Sequence, residues 1–169
     1  MKHNRTLFLC QAALVAALYV TLTYVARLFG LDSGVIQLRF SEALCILPIL
    51  MPAAIPGLYV GCLTANLLVN AMWMDILVGS LATLLGALGT YALRRHVWLA
   101  PLPPIIANVL LIPPVLVFGY GVPEGLPFLM LTVGIGEILS VYVLGLLLYF
   151  AIKKRKTQGC RCDRTGCVA

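Results

Sequence analysis

Gln37, Arg39 and Glu42 place an amide, a cation and a carboxylate in the string Val35-Ile-Gln-Leu-Arg-Phe-Ser-Glu42, within a chain that is 62% hydrophobic and 11% charged. Ionisable groups in such surroundings are expensive and point to function. Ser41 and Glu42 also suit a helix start, where their oxygens satisfy free backbone N–H groups, but capping does not explain Gln37 and Arg39. Glu137 is a second group of this kind, set beside Gly134 and Gly136 in the last long apolar run. A lipid-facing carboxylate there would be strongly disfavoured. It must face a cavity, a cation such as Arg27 or Arg39, or a hydrogen bond that keeps its proton. Asn108, near the middle of the preceding run, reaches a similar depth from the opposite direction along the chain.

Tyr59, Asn66, Asn70 and Trp73 of the third helix share one stripe, since the two Asn are four apart and the aromatics lie seven before and three after them. Amides beside aromatics suit a planar heterocycle, rings stacking on its faces while Asn reads its edge. The same residues also serve to bridge helices and, for Trp73, to sit at a membrane interface. Asp75 and Glu124 are expected on outer loops, where acids attract a cationic solute or are simply solvated. Ala12, Ala13, Ala16 and Ala17 make two small-xxx-small pairs in the first apolar run, with Thr21 extending the Ala13 line. Such faces admit a close helix, either within the bundle or from a partner subunit.

Other chemistry finds few parts. His3 and His96 stand far apart, which weighs against an embedded enzyme built on a base, a nucleophile or a metal cluster. The sequence holds no Walker-type Gly-rich loop, so it does not hydrolyse ATP by that route. Cys10, Cys45 and Cys62 lie in apolar runs as small hydrophobes. The tail pattern Cys160-Arg-Cys162-Asp-Arg-Thr-Gly-Cys167 is a weak soft-metal signal without a partner His. Neither a metal nor a cofactor is assigned.

These residues are carried by a chain of 169 residues with mean hydropathy +1.02, far from soluble composition. At about 20 apolar residues per crossing there is room for roughly six short-looped spans and no sizeable soluble domain. The expected spans are about 7–29, 41–55, 57–72, 76–93, 99–119 and 128–152. They form one transmembrane domain over 1–156, followed by a disordered cytoplasmic tail at 157–169. Pro52 to Gly57 reads as a hairpin between the two short spans, and the prolines from Pro101 to Pro114 imply kinks in the fifth. The first run is long for a signal peptide and lacks a cleavage site, so it reads as a retained helix.

Charge orients the bundle. Of the net +6, residues from 153 onward carry six Lys/Arg and one acid, +5, whereas residues 1–152 carry six bases and five acids, +1. This is a basic tail suited to anionic lipid, with no basic surface for nucleic acid. The amino terminus, Arg94-Arg95 and the Lys153 cluster fall on one side, which the positive-inside rule makes cytoplasmic, so both termini are expected in the cytoplasm.

The string Val35–Glu42, followed by Leu44, Pro48 and Pro56-Gly57, resembles a signature of the QueT family, substrate-binding (S) components of energy-coupling factor (ECF) transporters in the plasma membrane. The resemblance covers the span pattern up to Lys156. It implies an all-α, six-helix S component that captures a queuosine precursor, a 7-deazaguanine such as its 7-aminomethyl form. It also implies a transmembrane T subunit, docked through the alanine face of the first helix, and two cytoplasmic ATPases. Substrate contacts would come from Gln37, Arg39, Glu42, Tyr59, Asn66, Asn70, Trp73, Asp75, Asn108 and Glu137, with Glu137 on the base edge. Three alternatives remain open: a proton-coupled carrier using Glu137 as its relay, an S component for another vitamin, and an assembly subunit without a ligand.

Overall fold

The computed structural model describes residues 2–30, 39–121 and 125–164, with side chains given between 5 and 155. Among the described residues every regular element is helical: α1 (Lys2–Leu28), a 3-10 helix (Phe40–Ile49), α2 (Ala54–Leu68), α3 (Trp73–Ala92), α4 (Leu102–Phe118) and α5 (Leu126–Glu137), which continues through a π-helical stretch (Ile138–Leu144) into α6 (Gly145–Arg164). With the last three counted as one rod, this is the expected all-α arrangement of six helices.

The pattern of burial is inverted relative to a soluble protein. On α3, Gly79, Ala82, Thr83, Gly86, Ala87 and Thr90 are buried, while Leu77, Leu81, Leu85 and Leu88 are each about half exposed. A helix that hides its small and polar residues and presents leucines outward is solvated by hydrocarbon. Three stretches are long and apolar enough to cross a bilayer, Arg5–Leu28, Trp73–Ala92 and Leu126–Arg155. The 3-10 helix, α2 and α4 are apolar but shorter. This is a membrane protein.

The 3-10 helix lies at the centre, in contact with α1, α2, α3, α6 and the π-helical stretch. Residues Ser41 through Pro48 are all buried. Ten residues is long for this conformation, which rarely exceeds 3–4 residues, but its rise of about 2.0 Å per residue stretches the short segment to about 20 Å. Around it, Val15 and Tyr19 of α1, Leu58 and Cys62 of α2, and Val141 join one core with Leu44 and Cys45.

Small residues set the helix spacing. A Cβ on Gly61 would lie 2.9 Å from Tyr19 Cβ and 3.0 Å from Ala16 Cα, and one on Gly57 would lie 2.6 Å from the Ala12 carbonyl oxygen. Ala12 and Ala16 are therefore used inside the bundle against α2, whereas Ala13 and Ala17 are exposed. The expected four-alanine docking face is thus divided between two surfaces. Gly86 of α3 does the same for α4, with a Cβ falling 2.7 Å from Pro104 Cα.

Three boundaries depart from expectation. The turn between the second and third spans sits at residues 50–53, and Pro56 falls in the first turn of α2, where its missing N–H costs little. Helix α2 then stops at Leu68: Asn70 takes φ 51°, with Ala71 N–H bonded to Asn66 O at 3.0 Å and Asn70 N–H to Leu67 O at 3.2 Å. This is a Schellman ending with Asn in the left-handed position. At the far end α6 continues to Arg164, beyond the boundary expected at Lys156.

Candidate functional site

Glu42, Asp75, Asn108 and Glu137 are brought together by the central 3-10 helix, α3, α4 and the end of α5. All four are buried, at 1%, 8%, 2% and 4% exposure. Arg39, the residue before the 3-10 helix, feels the fields of Asp75, Tyr19, Glu42 and Glu137, and Glu137 in turn feels Glu42 and Arg39 and lies beside Asn108. Three carboxylic acids thus lie within electrostatic reach of one guanidinium inside a lipid-facing bundle. Such a cluster is costly unless it does something.

The acids are not equivalent. Glu42 is fully engaged by the protein: Tyr19 donates its hydroxyl to Oε1 at 2.5 Å, and the Cys45 thiol reaches Oε2 at 3.0 Å. Asp75 is half engaged, its Oδ2 facing the Tyr120 hydroxyl at 3.5 Å. That hydroxyl also accepts from the Met72 N–H at 3.0 Å, tying the α2–α3 turn to the end of α4. By contrast Asp75 Oδ1, Asn108 Nδ2, Glu137 Oε2 and Ser140 Oγ are buried with no hydrogen-bond partner. Native proteins leave few such atoms, and here they supply acceptors on two acids, a donor on an amide and a hydroxyl that does either.

Local structure explains the openings. Glu137 is the last residue of α5, directly before the π-helical stretch, and such wide turns recur at functional sites. Ser140, one turn on, shares its face. Gly79 of α3 lies alongside the other end of the cluster, where a Cβ would come within 3.2 Å of Asn66 Nδ2 and 3.4 Å of Asp75 Oδ1. Asn66 is itself held, donating to the Asp75 carbonyl at 3.3 Å and approaching Cys62 Sγ at 3.7 Å.

Several expected site residues fall elsewhere. Because α2 ends at Leu68, the Tyr59–Trp73 stripe is broken: Asn66 is buried and Tyr59 half-buried, Asn70 is exposed in the turn, and Trp73 starts α3 with 64% exposure. Asp75, expected on a loop, is in the first turn of α3 and buried. Gln37 and Glu124 lie outside the described residues. Tyr19, Tyr120 and Ser140 were not anticipated. Tyr19 sits on the apolar face of α1 like any core aromatic, and only the three-residue spacing of Ser140 from Glu137 could have signalled it.

An all-helical membrane protein with open hydrogen-bonding groups buried in its bundle has the form of a protein that takes a polar solute into the bilayer. Comparison with known proteins narrows this class. The chain matches the family described as QueT transporter over residues 9–154, and it belongs to that family. It is 38% identical over 84 residues to "Queuosine precursor transporter QueT" of Lactococcus lactis subsp. cremoris (strain MG1363), an alignment spanning 50% of this chain and 49% of the relative. The chain therefore matches about half the length of that curated relative. No solved structure matches it.

Proposed function

We propose that this chain is the substrate-capture subunit of an ECF-type transporter and that it binds a queuosine precursor, a 7-deazaguanine such as 7-aminomethyl-7-deazaguanine. The carrying observation is the set of unpartnered buried atoms on Asp75, Asn108, Glu137 and Ser140. A deazaguanine edge offers ring N–H and exocyclic amine donors that one carboxylate accepts together, and a carbonyl that an amide N–H satisfies. Glu137 takes the donors and Asn108 Nδ2 the carbonyl. A protonated aminomethyl group then meets Asp75, in a cluster where acids outnumber the base.

Glu42 acts through position: bonded to Tyr19 and Cys45, it balances Arg39 and fixes the central helix. Gln37, Tyr59 and Asn66 are assigned to the surroundings of the ligand, Tyr59 as a stacking ring. Six membrane passes with both termini in the cytoplasm accord with Arg95 and Lys153 lining one cavity at one end of the bundle, as the charge pattern requires. Since the sequence carries no nucleotide-binding loop, energy comes from a T subunit and two cytoplasmic ATPases. The exposed Ala13 and Ala17 face, continued by exposed Thr21, is the surface assigned to the T subunit.

Uptake of radiolabelled 7-aminomethyl-7-deazaguanine in cells lacking their own uptake system tests the assignment. Accumulation that requires this chain together with the T subunit and ATPases supports it. Accumulation with this chain alone would replace it by a proton-coupled carrier.

A further inference from the structure

Along the continuous helix from Glu137, Lys153 lies about 24 Å away at 1.5 Å per residue, close to the opposite end of the bundle. There the connection between α3 and α4 and the first half of α6 line an open cavity of about 400 Å3. Its wall is bipartite. Arg95, His96 and Lys153 supply nitrogen groups, and Trp98, Tyr149 and Phe150 supply aromatic surface, with no carboxylate in the lining. We propose that this cavity binds the phosphodiester headgroup of an anionic phospholipid.

The cations and the aromatics are set for different parts of one molecule. Trp98 and Phe150 are 62% and 48% exposed, with ring centres 6.2 Å apart, and Tyr149 meets Phe150 edge-on at 5.4 Å. Amphipathic and aromatic rings of this kind lie at the level of lipid headgroups. The Lys153 ammonium is 5.7 Å from the Tyr149 ring centre, which holds it over the shelf and limits its reach into bulk water. Arg94, by contrast, lies over the Tyr91 ring at 4.3 Å and does not line the cavity. Below the basic rim, Leu99 and Leu147 are exposed and continue the apolar surface along which acyl chains would run. A soluble anion would use the guanidinium and ammonium but has no use for the aromatic shelf. A lipid uses both, and basic pockets between membrane helices are suited to such headgroups.

The full-length protein, purified in neutral detergent, is titrated with dioleoylphosphatidylglycerol or dioleoylphosphatidylcholine, and retained lipid is counted by native mass spectrometry. Selective retention of phosphatidylglycerol is expected. At about fivefold per basic residue, R95Q/K153Q should weaken it about 25-fold. K154Q/R155Q removes the same charge from positions that are exposed like Arg95 and Lys153 but lie outside the cavity lining, and should weaken it less than fivefold. If R95Q/K153Q does not fold, K153Q alone should show the single fivefold loss. Equal losses in the two double variants would overturn the site in favour of diffuse attraction by the tail. So would equal retention of both lipids, or displacement of phosphatidylglycerol by millimolar inorganic phosphate or glycerol 3-phosphate, which would reassign the cavity to a soluble anion.

Discussion

Glu42 and Glu137 are both buried carboxylic acids in one cluster, and replacing each with Gln should give opposite results. Glu42 accepts from Tyr19 and Cys45, so E42Q removes the charge-assisted character of a partnered group, a loss of about 1.5–3 kcal/mol in the stability of the empty protein. Glu137 Oε2 has no protein partner. E137Q breaks no hydrogen bond at that oxygen, and the relief of an open buried acid offsets the lost attraction to Arg39, leaving stability close to that of the parent. In the liganded state it removes one charge-assisted bond and turns an amide N–H toward the donors of the base. A loss of about 1.5–3 kcal/mol there corresponds to about 10- to 150-fold weaker binding. Chemical denaturation in detergent reads the first quantity and calorimetry the second. If E137Q destabilised the empty protein while E42Q weakened binding with unchanged stability, the division between a structural and a ligand-facing acid would be refuted.

Further outcomes follow from the packing. Gly61→Val should cost about 1–3 kcal/mol in stability, because its side chain meets backbone atoms of Ala16 as well as Tyr19 Cβ; a denaturation midpoint unchanged from the parent would contradict the α1–α2 contact. Leu at Ala13 and Ala17, both exposed, should leave stability and ligand affinity intact but abolish co-purification with the T subunit, and persistence of the complex would remove that face from docking. Asn70→Gly should be tolerated and Asn70→Val should cost about 1–2 kcal/mol, since the position holds φ 51°. Asn108→Ala should weaken binding of the deazaguanine about tenfold in calorimetry, by removing an Nδ2 donor that has no hydrogen-bond partner in the protein.

The helical class and the membrane setting were legible because hydropathy and charge act over long stretches of sequence. Glu137 and Asn108 were legible for a related reason: a polar group inside an apolar run must be accounted for wherever it lies. The conformation of the central helix was not. Beyond Ser41 and Glu42 at its start, Phe40–Ile49 is continuously apolar, and such a run has no periodicity to separate one helix type from another. The Tyr59–Trp73 stripe failed at one residue, since the length of α2 depended on Asn70 adopting the left-handed conformation. The two alanine pairs were legible from their spacing of four, but not which pair the bundle would use: neighbouring residues in a helix lie about 100° apart, and Ala12 and Ala16 are half-buried while Ala13 and Ala17 are exposed. Tyr19 was hidden by its own chemistry, because its ring belongs to the core and only its hydroxyl belongs to the acid cluster.

Calorimetry of the purified protein with 7-aminomethyl-7-deazaguanine, alongside guanine, thiamine and riboflavin, tests the central claim most directly. The unpartnered groups around Glu137 predict tight one-to-one binding of the deazaguanine without ATP or partner subunits, and at least tenfold weaker binding of the other three. Absence of binding to well-folded protein would contradict the assignment of this cluster as a queuosine-precursor site.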